Sequence, residues 1–199
     1  MQEGLETSPP PCDKGAMKLN REMIVAEAIA ILREEGLEAV SLRRVAARLD
    51  AKAPSLARHV GDKQMLLALM SNRLFRDALE AVPDGADWRR WMLDFGRSLW
   101  RKQRETRDIA KLIAYAPPQQ EVQDSTVASL TERLAAMGLP VDRGMIVQSA
   151  VQALVTGWTG FVTGPKGAAI DALIPVEQAV EASLAAMVDG FAREMEPPG

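Results

Sequence analysis

One histidine, His59, one cysteine, Cys12, one tyrosine, Tyr115, and an aromatic share of only 5% leave this 199-residue chain short of the side chains that most chemistry uses. A lone cysteine excludes an internal disulfide and fits a reducing, cytoplasmic setting. A lone histidine gives nothing from which to assemble a Ser-His-acid or metal-ligand cluster, so catalysis, metal-assisted ligand capture and a cofactor are all unexpected. The amino-terminal stretch lacks the basic-then-apolar order of a signal peptide. Internal repeats and heptad runs are missing, and segments with strand-like alternation are few. The glycine-rich run Gly160 to Gly167 superficially suggests a phosphate loop, but its spacing is one short, Pro165 intrudes, and neither Ser nor Thr follows Lys166.

What the chain does have is helical periodicity almost throughout. At 47% hydrophobic residues and a net charge of −3, it can bury a sizeable core as one ordinary domain or two small ones. Residues 1–18, with Ser8-Pro9-Pro10-Pro11-Cys12, read as a mobile tail in which Met17 is an alternative start. Helices are expected over Asn20 to Glu35, Asp62 to Val82, Asp87 to Glu105, Thr106 to Tyr115, Glu121 to Met137, Asp142 to Val162 and Pro175 to Glu194. Breaks fall at Pro83-Asp84-Gly85, Pro117-Pro118, Gly138-Leu139-Pro140 and Gly164-Pro165-Lys166-Gly167. The expectation is an all-α protein: a three-helix head over 19–64 and a larger helical-bundle body over 65–199.

Ser41 to Lys63 carries the most information. Leu42, Val45, Ala46 and Leu49 recur at helical spacing behind Ser41 as N-cap, and leave Arg43, Arg44 and Arg48 on the other face. Asp50-Ala51-Lys52 breaks that helix. Pro54 then suits the first turn of a second short helix, pinned by Leu56 and Val60, with Ala53, Ser55, Ala57, Arg58 and His59 facing out. Two short helices joined by a tight turn form a helix-turn-helix, whose second helix enters a DNA major groove by its amino-terminal end. Six basic residues, Arg43, Arg44, Arg48, Lys52, Arg58 and Lys63, stand against Asp50 and Asp62. A local basic footprint on an acidic chain favours a focused duplex contact over a diffuse polyanion or membrane-surface binder.

Together with the helix ending Glu34-Glu35-Gly36-Leu37, the Ser41-Leu42-Arg43-Arg44-Val45-Ala46 start, the Ala53-Pro54-Ser55-Leu56 start and His59-Val60-x-Asp62-Lys63, this segment resembles the DNA-binding domain of the TetR family of repressors. The resemblance covers about the first 50 residues after the tail. It implies DNA contacts at Arg43, Arg44, Lys52, Ala53, Pro54, Ser55, Arg58, His59 and Lys63, with Lys63 suited to a phosphate and Arg43 or Arg58 able to reach a base edge. The chain departs from the family pattern at Asp50, where glycine is common, at Lys52, where a capping serine is common, and at Ala57 and Arg58, where an aromatic pair is common. Asp tolerates a left-handed turn better than most residues, though less well than glycine. An alternative reading is a helical ligand- or partner-binding protein whose head no longer binds DNA; salt-dependent duplex binding separates the two.

In the body, aromatic and long apolar residues crowd the helix of Trp88 to Trp100, and a shared cavity is expected with Trp91, Phe95, Trp100, Tyr115 and Met145, plus Gln148 and Gln152 one turn apart as polar anchors. The ligand class is a hydrophobic or aromatic small molecule. Met145 to Gly164 has no charged residue and approaches the length of a bilayer span, but Gln148, Ser149, Gln152, Thr156, Thr159 and Thr163 interrupt it, so a helix buried against protein is expected and no membrane partner. Its stripe of Val147, Ala150, Val151, Leu154, Trp158 and Phe161 pairs with Val180, Leu184, Met187, Val188 and Phe191 of the last helix. Pattern and resemblance both point to a homodimer whose two heads sit roughly 34 Å apart on a palindromic operator. The resemblance implies that ligand binding shifts the helix from Asp62 to Val82, changes the head spacing and releases the operator.

Overall fold

Asn20 opens the first helix by accepting a hydrogen bond at Oδ1 from the Met23 N–H at 2.9 Å, and α1 then runs Arg21–Glu35. The computed structural model describes residues 19–85, 87–118 and 120–195, with backbone only at 120–123; the tail expected over 1–18, with Cys12 and Met17, lies outside the described residues. Gly36 stops α1 at φ 91° and ψ 174°, a region open essentially to glycine alone. A 3-10 turn, Leu37–Ala39, leads to α2, Leu42–Arg48, whose cap Ser41 accepts from the Arg44 N–H at 3.1 Å. The following helices are α3 Ala53–Val60, α4 Lys63–Glu80, α5 Trp88–Glu105, α6 Ile109–Tyr115, α7 Gln120–Ala136, α8 Val141–Thr163, α9 Gly167–Leu173 and α10 Val176–Met195. No strand occurs among the described residues, so the all-α expectation holds.

Two apolar cores organise these helices. The first joins α1, α2 and α3 through Ile24, Ile31, Leu32, Val45, Leu56 and Val60. The second gathers α5, α7, α8 and α10 around Met92, Phe95, Leu134, Val151, Leu184 and Val188. Fully burying side chains of this size stabilises by about 1.5–3 kcal/mol each. Helix α4 belongs to both: Leu66, Leu67, Met70 and Leu74 pack in the first core, Ala78 and Leu79 in the second. Short α6 also reaches back, placing Ile109 and Leu112 among the head residues although they follow α5 in the chain. The rod that links the cores is therefore shared structure, not a linker.

Two expectations about the body need correction. The stretch after Gly164 was expected as a break only, yet it turns into α9. Gly167 is there because the chain folds back tightly: a Cβ on it would sit 2.1 Å from the Val162 carbonyl oxygen. The second correction concerns the dimer stripe. Val147 and Val151 of α8, with Gln148, Val155 and Thr159, pack inside the protomer, as do Val180, Leu184 and Val188 of α10. The opposite side of α8 stays uncovered, with Ile146 50% and Phe161 62% exposed and open space around Gly157 and Gly160. Helix α8 is long and apolar enough to cross a membrane by length and composition, but one face of it is buried in this core.

Candidate nucleic-acid interface and body cavity

Leu56 and Val60, both essentially inaccessible, press α3 onto Val45 and Ala46 of α2, so the pair is held as a unit. The turn between them closes by the Ala51 N–H donating to the Ala46 carbonyl at 2.9 Å, and it needs Asp50 at φ 50°. Aspartate thus occupies the left-handed position that the sequence anticipated for it. No side chain caps α3 at Lys52, and Pro54 sits in its first turn. Arg21 Nε donates to the His59 carbonyl at 3.0 Å and ties the far end of α3 to α1. His59 is half-buried; Lys52, Pro54, Ala57 and Arg58 are exposed, and Ala53 and Ser55 partly so.

The arginines of α2 divide into two kinds. Arg44 makes a bidentate contact with Glu35, at 2.9 and 3.0 Å, and Arg48 reaches Glu27 at 2.5 Å and Glu34 at 2.7 Å. The Glu34 partner holds the Arg48 guanidinium even more firmly protonated, and the Arg48 hydrogen bonds pull the Glu34 carboxyl below its usual range. These pairs fasten α2 to α1. Arg43, Lys52, Arg58 and Lys63 are exposed and enter no ion pair among the described residues, so their charge remains for an external anion. Of the nine residues expected at the interface, Arg44 is the one whose side chain is engaged in an ion pair among the described residues.

A cavity of about 450 Å³ opens in the body between α4, α6, α7 and α8. Met145, Gln148 and Gln152 line it, as the sequence reading expected; Ser71, Asn72, Phe75, Ile113, Thr126 and Leu130 also line it and were not singled out. The structure does not bring the other four expected residues there. Trp91 and Phe95 stack at 5.7 Å inside the core, Trp100 donates from Nε1 to Glu177 at 2.7 Å, and Tyr115 lies 66% exposed. Aromatic residues close-pack as readily as they line pockets, and composition alone does not separate those fates. The polar pair Ser71-Asn72, directly after the apolar run Met65 to Met70 of α4, was the available signal. Among the described residues no group of three His, Cys, Asp or Glu side chains is placed to hold a metal ion.

Cavity and head meet through α6. Ile113 faces the cavity while Ile109 and Leu112 sit in the head core. Just before α6, Asp108 adopts φ 54°, ψ 20° and accepts at Oδ2 from the Leu37 N–H at 3.0 Å, across 71 residues of sequence. That backbone donor, and Lys111 at 3.1 Å, hold the Asp108 carboxyl below the usual carboxylate range.

No family model matches the chain. The class D tetracycline repressor of Escherichia coli is 29% identical over 142 residues, covering 70% of this chain but only 65% of that protein, so the chain spans somewhat under two thirds of such relatives. The class A tetracycline repressor from transposon 1721 of Escherichia coli is 29% identical over 198 residues, covering 88% of this chain and 92% of the relative. Among solved structures, a TetR variant from Acinetobacter baumannii AYE in complex with minocycline superposes with a TM-score of 0.70 at 23% identity, over 90% of this chain and 100% of that one, a likeness of fold. The similarity to tetracycline repressors therefore extends through head and body alike, and the chain shares the fold of the TetR structure.

Proposed function

We propose that the chain is a cytoplasmic, homodimeric DNA-binding repressor that leaves a palindromic operator when a small molecule enters the body cavity. The observation that carries this reading is the set of cations without an ion-pair partner among the described residues, Arg43, Lys52, Arg58 and Lys63, around the exposed start of α3. Lys52 and Lys63 suit phosphates, which fix register, while Arg58 and Arg43 have the reach and fork to address guanine edges; Ala53, Pro54, Ser55 and His59 complete the contact surface.

One head offers too few contacts for a specific site, so a second copy is required. The uncovered faces of α8 and α10 support it: Ala153, Gly157 and Phe161 on one, Ala182 and Ala186 on the other, are exposed and small or apolar, and Gly190 opens on empty space. Small residues let helices from two copies approach closely. Ligand binding reaches the head through α6 and α4, which wall the cavity and also enter the head core. Such coupling is commonly worth about 1–3 kcal/mol and needs different ligand contacts in the two states.

Selection of binding sites from a random duplex library tests the reading. A palindromic consensus with half-sites about one helical turn apart is expected, with affinity falling as salt rises; no preference for any duplex at low ionic strength sinks it.

A further inference from the structure

We infer that the body cavity takes an uncharged ligand carrying a hydrogen-bond donor beside an acceptor on one edge, anchored by Gln148 and Gln152. The inference rests on reading this cavity as the effector site and specifies what that effector must look like.

The first half follows from what the wall lacks. None of the described residues lining the cavity carries a charge: Phe75, Ile113, Leu130 and Met145 give an apolar surface, and Ser71, Asn72, Thr126, Ser149 and the two glutamines give only neutral dipoles. An ionised ligand entering here gives up part of its hydration and meets no counter-charge among the described residues, a loss that neutral dipoles restore only in part. Lys102 belongs to a neighbouring recess of about 30 Å³, too small to admit a ring.

The second half follows from how the amides are used. Gln148, only 4% exposed, donates from Nε2 to Gln152 Oε1 at 2.9 Å. Each amide has thereby engaged one of its two ends. The Gln148 carbonyl and the Gln152 NH2 group find no further hydrogen bond among the described residues, and both side chains line the cavity. Reversing both amides exchanges the roles but leaves the same remainder, one acceptor and one donor. In the same wall the Thr126 hydroxyl is buried and finds no hydrogen-bond partner among the described residues. A site with polar groups prepared in this way discriminates strongly against analogues that leave them unpaired. A lactam, or a hydroxyl beside a carbonyl on an aromatic frame, satisfies the glutamines and fills the apolar remainder; a bare hydrocarbon fills it and leaves them unmet.

Calorimetric titration of the full-length protein with four tricyclic probes of similar shape tests this: phenanthridinone, a neutral lactam; its N-methyl derivative, which lacks the donor; phenanthridine carboxylate, an anion; and phenanthrene. Saturable binding of the lactam is expected, with the N-methyl compound about ten-fold weaker and the carboxylate weaker still. Gln148→Leu and Gln152→Leu should each bring the lactam to the affinity of the N-methyl compound while phenanthrene binds at least as tightly as to the wild type, which also shows the cavity intact; Gln152→Met provides a second, unbranched replacement. Equal affinity for lactam and N-methyl compound, tighter binding of the carboxylate, or no saturable lactam binding overturns the inference. Duplex binding measured in parallel keeps the two readings apart. A discriminating cavity on a protein that ignores duplex DNA upholds the ligand class and sinks the regulator; duplex binding with an indiscriminate cavity does the reverse.

Discussion

Removing the Asp108 carboxylate should loosen the joint between head and body, and the size of the loss depends on what replaces it. The carboxylate, with 22% of its side chain exposed, is the acceptor for the Leu37 N–H and pairs with Lys111. A part-buried N–H left without a partner costs about 1–2 kcal/mol. The residue also sits in the left-handed region at φ 54°, where alanine adds about 1–2 kcal/mol of backbone strain that glycine and asparagine largely avoid. Asp108→Ala is therefore expected to cost about 2–4 kcal/mol, Asp108→Gly about 1.5–3 because it also frees the unfolded chain, and Asp108→Asn about 0.5–1 because an amide oxygen still reaches Leu37. Urea unfolding at neutral pH measures all three. The folded-state carboxyl lies below its usual value, so its contribution is complete above about pH 4 and fades as pH falls through the lower, folded value. The gap between wild type and Asp108→Asn should narrow correspondingly in acid. Gly36 gives a cross-check: a Cβ there would lie 2.8 Å from Asp108 Oδ2, so Gly36→Ala and Asp108→Gly together should cost less than their sum. If alanine, glycine and asparagine at 108 are equally tolerated, or the gap to asparagine ignores pH, the account of this joint is wrong.

Arg43→Ala should reduce the salt dependence of duplex binding by about 0.9 per head in the slope of log affinity against log salt, whereas Arg44→Ala, whose guanidinium is engaged by Glu35, should leave that slope nearly unchanged; equal slopes for the two variants contradict the division of the arginines. Gly96→Ala brings a Cβ within 2.7 Å of Leu184 Cδ2 and 3.2 Å of Val151 Cγ1, so overpacking of about 1–3 kcal/mol should outweigh the gain in helix propensity; a thermal melt showing stabilisation would mean that α5 and α10 yield more easily than their burial suggests. Ala186→Glu places a charge on the uncovered face of α10 and should halve the mass seen by light scattering at micromolar concentration while circular dichroism stays helical; an unchanged dimer would move the interface elsewhere.

Much of the head was legible in residue order. Asn20, Ser41 and Asp62 cap their helices as residues of those types do, Gly36 ends α1, Pro54 starts α3, and Asp50 takes the left-handed turn. All of these are decided within about four residues, the range over which capping, helical periodicity and turn chemistry act. The same locality explains why the helix bounds in the body fall within a few residues of expectation. Helix α9 escaped because its seven residues, Gly167 to Leu173, carry too short a period to register, and because Gly167 answers to a close backbone approach rather than to a motif.

By itself, then, residue order determined the helices other than α9 and the basic turn-linked pair. Only the tertiary structure decided which face of α8 closes the protomer and which stays open, that Arg44 and Arg48 are engaged by α1, that Asp108 meets Leu37 across 71 residues, and that α4, α6, α7 and α8 enclose a cavity while Trp91 and Phe95 do not reach it. Each of those outcomes depends on which helix arrives against which, and packing selects among apolar faces that are equivalent in hydropathy by shape and volume, quantities that no local window of sequence contains.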